Sequence, residues 1–160
     1  MKLVLELPEK LLAKLKELSE KEGSPLEGFV AEILCRQVEP LDPELKAELH
    51  EALSAKLLHE AKELLAKGDH VQASEKAWGA AAQAVKALAA RRGVELRSHG
   101  ELWSYVSRLR EETGDEDLSR LWHVANSLHV NFYEAWATRG LVEDAVNDVE
   151  RLVEKLRRLA

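Results

Sequence analysis

The sequence predicts an all-α fold in which a short strand and two small helices precede a five-helix antiparallel bundle. Three observations carry this expectation. Ala, Leu, Glu, Lys and Arg dominate the 160 residues, Gly and Pro are sparse, and aromatics make up only 5%, a balance that favours helix nearly everywhere. Hydrophobic residues, at 46%, are enough to fill one core. Apolar positions recur at helical spacing between short connections, which implies antiparallel neighbours.

In chain order, "MKLVLELP" alternates Leu3, Leu5 and Leu7 against Lys2, Val4 and Glu6, and stops at Pro8. It reads as one short strand, whose unpaired backbone asks for a partner, most simply the same strand of a second copy. "PEKLLAKLKELSEKEG" is a helix closed by Gly23, and "SPLEGFVAEILCRQV" starts another with Ser24, Pro25 and Glu27 in the pattern of a capping box. This order resembles the ribbon-helix-helix family, whose paired strands read DNA. The outward residues would be Lys2, Val4 and Glu6, and residues 1–41 hold six basic against eight acidic side chains. A surface facing phosphates is therefore lacking, and residues 1–39 are expected to form a dimerisation or docking segment, with weak DNA binding as an alternative.

Residues 42–160 are expected to form the bundle. Asp42 and Pro43 open a long helix that runs to Gly68. Residues 70–92 are small on nearly all sides around Trp78, so this should be the central helix, where neighbouring backbones approach closely. "SHGE" at 98–101 is a second capping box, Asp115 caps the next helix, and the last carries Val142, Ala145, Val146, Val149, Leu152, Val153 and Leu156 as its stripe.

Composition also bounds function. A net charge of −6 argues against a protein built to coat nucleic acid or anionic lipid. Cys35 stands alone, so neither an intramolecular disulfide nor a cysteine zinc site is expected, and no metal or other cofactor is indicated. No apolar run approaches the ~20 residues that cross a bilayer, and the N-terminus has charges where a signal peptide is apolar, so a cytoplasmic protein without membrane contact is expected. Charged residues at 32%, with three Asn, three Gln, one Met and one Cys, match a thermophile's preference for ion pairs.

Two of those asparagines lie in "LWHVANSLHVNFYEAW", residues 121–136. At about 100° per residue, Trp122, Asn126, His129 and Tyr133 form one column beside Leu118, Ala125, Phe132 and Trp136. A polar trio at the middle of an apolar face must find partners, since each buried group left unpaired costs ~1–3 kcal/mol. Asn126, His129 and Tyr133 are expected to form a buried network met by other protein groups, with a ligand as the alternative. His99 offers a second imidazole. The helix start at "RSHG", with Arg91, Arg92, Arg97, Ser98 and His99, is a candidate phosphate site. Lys76, Lys86, Arg91, Arg92, Arg97, Arg108 and Arg110, against Glu95 and Glu101, make residues 76–110 a local excess of positive charge, which reads equally as a solvated face. His59 in "HEAKE" reads as surface, His50 as a tolerated boundary histidine, and the four tryptophans as core.

The runs "QASEKAWGAAA", "RSHGELW" and "LHVNFYEAW" closely resemble the archaeal PaREP family, and the resemblance extends over about three quarters of the chain. It implies a five-helix bundle of the HEPN type, a superfamily of endoribonucleases, nucleotide-binding partners of nucleotidyltransferases and inactive scaffolds. HEPN ribonucleases carry an arginine, a polar residue and a histidine late in the bundle. Here Asn126, His129 and Tyr133 match the polar residue, the histidine and a following aromatic, while Val124 or Ala125 stands in the arginine's place. The leading expectation is therefore a homodimeric binding or scaffold protein for a nucleotide or RNA phosphate, with a nucleotidyltransferase-type partner. A metal-independent endoribonuclease with His129 as its catalytic group and Arg91, Arg92 or Arg97 as a displaced cation is the alternative.

Overall fold

The computed structural model describes residues 2–160, which fold into seven helices: α1 (Glu9–Lys21), α2 (Leu26–Gln37), α3 (Pro43–Ala66), α4 (His70–Arg91), α5 (His99–Thr113), α6 (Glu116–Glu134) and α7 (Arg139–Arg158). This corrects the expected architecture of a strand, two small helices and a five-helix bundle. No strand occurs among the described residues; residues 2–8 carry no regular structure, and Met1 lies outside them. The alternation of Leu3, Leu5 and Leu7 with Lys2, Val4 and Glu6 finds nothing to cover its apolar side, and Leu3, Val4 and Leu5 are exposed. Among the described residues there is no second strand to satisfy the amides and carbonyls of such a segment, which is what an isolated strand would need. Without a strand, the ribbon-helix-helix resemblance reduces to two consecutive helices.

The helix starts follow side-chain caps. Asp42 accepts from Glu44 N, Asp69 from Gln72 N, Ser98 from Glu101 N and Asp115 from Asp117 N. The start of α2 differs: Pro25 occupies the cap without a side-chain bond, and Ser24 instead accepts from the Gln83 amide of α4 at 3.2 Å.

Helix α4 is the axis of the molecule and touches α3, α5, α6 and α7. Its small residues make this possible: Ala73, Ala77, Ala80, Ala81, Ala82 and Ala89 are fully buried, and Ser54 of α3 comes close enough to donate to the Ala80 carbonyl at 2.7 Å. The apolar core spreads outward from this helix through Trp78, Leu88, Leu102, Leu109, Leu118, Trp122, Val142, Val149 and Leu152. The α1–α2 hairpin lies against α4 as well, with Pro25 beside Gly79, where an added Cβ would stand 3.3 Å from the proline ring and 3.1 Å from Leu57. Among the described residues, no helix is long and apolar enough to cross a membrane.

Candidate functional site

The groups brought together are His99 at the start of α5, Glu75 and Trp78 one turn apart on α4, and His129 and Tyr133 one turn apart on α6. Trp78 is the buried floor. The His99 ring stacks on it at 5.6 Å between centroids, and the His129 ring tilts against it at 5.1 Å. The two imidazoles lie 5.0 Å apart, and the edge of Tyr133 meets His129 at 5.4 Å. His129 Nδ1 is 3.3 Å from Glu75 Oε2, which orients one imidazole by a carboxylate.

The hairpin closes one side of this cluster. Gly23 presses its backbone on the His99 ring so closely that a Cβ there would stand 3.1 Å from three ring atoms, and its φ of +64° already favours glycine. Burial, and next the neighbouring His129, push the His99 imidazole below its ordinary range, against the upward pull of the Glu20 main chain and the Glu75 carboxylate. Burial pushes the Tyr133 phenol up, with Glu20 and Glu75 adding to it. His99 is thus held toward its neutral form beside a carboxylate-paired imidazole, and the pair can offer both a proton donor and an acceptor to one polar group.

The remaining residues expected at this site are placed differently. The trio Asn126, His129 and Tyr133 is not one buried network: Tyr133 is 53% exposed, and Asn126 and His129 are half-buried. The buried face of α6 centres on Leu121, Ala125 and Leu128, roughly a quarter turn from the column that includes Trp122 and Tyr133, so that column runs along the edge of the contact. The asparagine that is buried is Asn131, which donates to Ser74 at 2.9 Å and accepts from Ala137 N at 2.8 Å. Trp136, expected in the core, is 70% exposed.

The arginines do not converge on the "RSHG" turn. Arg91 bonds Glu44 at 2.9 Å and Glu51 at 2.5 Å on α3, Arg92 reaches Glu112 on α5 at 3.0 Å, and Arg97 pairs with Glu95 at 2.7 Å. Ser98 and Glu101 are committed to capping α5. The expected phosphate site is therefore dispersed into separate ion pairs, leaving His99 as the member that joins His129.

Four residues that hold the site or the seam beside it were not singled out as such from the sequence. Glu75 and Gly23 gave no signal of their own. Gln83 and Lys86 did, because polar side chains inside "GAAAQAVKALAA" have small neighbours on every side and must be buried with partners. Gln83 Oε1 accepts from His50 Nδ1 at 2.6 Å, and Lys86 pairs with Glu32 of α2 at 2.8 Å. Burial lowers the affinity of His50 for its proton, so the ring read as a boundary histidine is a neutral, buried one. Among the described residues, no group of three or more His, Cys, Asp or Glu is disposed to hold a metal ion.

Residues 49–153, which contain Glu75, Trp78, His99, His129 and Tyr133, match the model of the archaeal PaREP1/PaREP8 family. The chain belongs to that family. A crystal structure of a protein from Sulfolobus solfataricus is similar to this PaREP chain at 30% identity, with a TM-score of 0.56 over 71% of this chain and 95% of that one. No curated protein matches. The α1–α2 hairpin lies outside the matched residues, so the floor and both imidazoles of the site are in the PaREP segment, while Gly23, which closes over them, is not.

Proposed function

We propose that this PaREP protein is a HEPN-like binding module without catalysis of its own, and that its ligand is a nucleotide or an unpaired nucleotide of RNA. The observation that carries the reading is the imidazole pair, 5.0 Å apart on a rigid indole floor, with the ring of Tyr133 exposed beside it. A base stacked on an exposed aromatic ring gains ~1–3 kcal/mol, and imidazole N–H groups donate to phosphate or ribose oxygens. The charge arrangement favours binding over cleavage. Arg91, Arg92 and Arg97, the cations nearest in sequence, are each held by carboxylates, whereas cleavage asks for a cation at the reacting phosphate. Nucleoside monophosphates should raise the melting temperature of the wild type, and Tyr133→Ala and His129→Ala should each lose most of the shift. No shift at millimolar nucleotide would overturn the proposal.

A second reading is a metal-independent endoribonuclease, favoured by the presence of two imidazoles in ring contact. One could take the 2′-hydroxyl proton while the other protonates the leaving 5′-oxygen. RNA incubated with the wild type, His99→Ala and His129→Ala in a chelator separates the two readings. Cleavage lost in either variant assigns catalysis, and equal, negligible cleavage by all three removes it.

A further inference from the structure

A pocket of about 260 Å³ lies where the hairpin and the α2–α3 linker meet α3, the end of α4 and the 93–96 turn. That is many times the ~10–15 Å³ one buried water needs on the same measure, enough for a small organic molecule. The bundle side contributes Lys46, His50 and Lys86, with Glu95 its one carboxylate. The hairpin side contributes Glu32 and Glu39, and each of these pairs with one of the two lysines: Lys86 with Glu32 at 2.8 Å, and Lys46 with Glu39. The chain itself therefore places a carboxylate on each ammonium of the pocket.

The fit of Glu32 is incomplete. Its second oxygen, Oε2, is buried without a hydrogen-bond partner and is met only by an ion-pair contact of 4.0 Å from Nη2 of Arg36, an atom that is itself shared with Glu22 at 3.7 Å and makes no hydrogen bond. Lys86, only 3% exposed, has three N–H donors and directs one of them to Glu32. A buried ammonium with donors to spare, opposite an acid that satisfies only half its own acceptors, is a built anion site with an ill-fitting occupant.

We propose that this pocket binds a small dianion, a dicarboxylate or a phosphate monoester, through Lys46 and Lys86, and that Glu32 and Glu39 occupy the site in cis until the ligand displaces them. Binding then moves the Glu32 carboxylate off α4 and the Glu39 carboxylate off α3. The site shares no residue with the imidazole pair, so it stands or falls separately from the nucleotide reading.

Isothermal titration of the full chain with glutarate and with glycerol 3-phosphate tests this. Removing an internal competitor raises the fraction of competent sites, so Glu32→Gln/Glu39→Gln should bind one of the two probes at least about fivefold more tightly than the wild type. The probe that gains identifies the ligand chemistry. Adding Lys86→Met to that variant should abolish the gain. Glu39→Gln alone, a change on a side chain 42% exposed, should show a smaller gain in the same direction and keeps the test valid if the double variant misfolds by circular dichroism. No gain for either probe in either variant overturns the proposal, as does a gain that survives Lys86→Met.

Discussion

Toward α7 and α6, helix α4 presents Ala84, Leu88 and Trp78 to Val153, Leu156 and Trp122, an apolar contact that asks only for complementary volumes. Toward the hairpin, the same helix presents Gln83 and Lys86, equally buried, and meets Ser24 and Glu32 through named hydrogen bonds. Both flanks exclude water. The apolar flank gains from every atom it covers and tolerates many shapes. The polar flank gains little net energy, because the desolvation of each group is offset only by its partner, yet it fixes a single register for the hairpin. A strong contact and a specific contact are thus divided between two sides of one helix. The polar side is the one that could open.

The sharpest way to break this comparison is to remove one partner on the polar flank. Lys86→Met leaves Glu32 buried with only the longer Arg36 contact and should cost about 3–5 kcal/mol, read from the urea midpoint. Lys86→Met/Glu32→Leu should recover most of that loss, because neither charge of the pair then remains to desolvate and Arg36 keeps Glu22 and Glu95. A double variant as weak as the single one would mean that the pair itself, and not the orphaned charge, carries the stability. On the apolar flank, Leu152→Ala should cost about 2–5 kcal/mol, with no second substitution beside it able to restore the loss by removing a partner.

Gly28→Ala probes the seam more gently. The new Cβ would lie 2.5 Å from Gln83 Nε2, so the amide must leave Ser24, and a loss of about 1–3 kcal/mol is expected. The smallest effect is one of pH. Burial is the first cause that holds both His50 and His99 below the 6.5 of a free imidazole, so the unfolded chain takes up protons at these positions before the folded one does. Their contribution is neutral above pH 6.5, and stability falls as pH drops below it. Urea midpoints between pH 7.5 and 5 should show that decline, and His50→Gln/His99→Gln should flatten it.

Much of the fold was legible because helix ends are written locally. Asp42 with Pro43, Ser98 with Glu101, and Asp115 each supply a side chain within reach of the amides they cap. The strand was misread because alternation says that a segment could pair but not that a partner exists. The α6 site was partly legible. Periodicity identified the column of Trp122, His129 and Tyr133, yet which edge of a helix meets its neighbour depends on the packing angle, and that angle is set by α4 and α7, distant in sequence. The arginine cluster was illusory for a related reason: adjacent positions on a helix end point in different directions, and Arg91, Arg92 and Arg97 found carboxylates on three different segments. The polar seam was written most plainly, as Gln and Lys inside an alanine run, and needed only the rule that buried polar groups have partners.

Asn131 fastens two separate parts of the chain with one carboxamide, its nitrogen serving Ser74 and its oxygen the amide of Ala137 just beyond the left-handed Ala135. Hydrolysis of that group to a carboxylate would keep the acceptor, lose the donor, and bring a charge into a place 2% exposed. The joint between α6 and α7 would then loosen from within, with no substitution in the gene. Chemical ageing of this protein should therefore begin to matter at one atom, the Asn131 amide nitrogen.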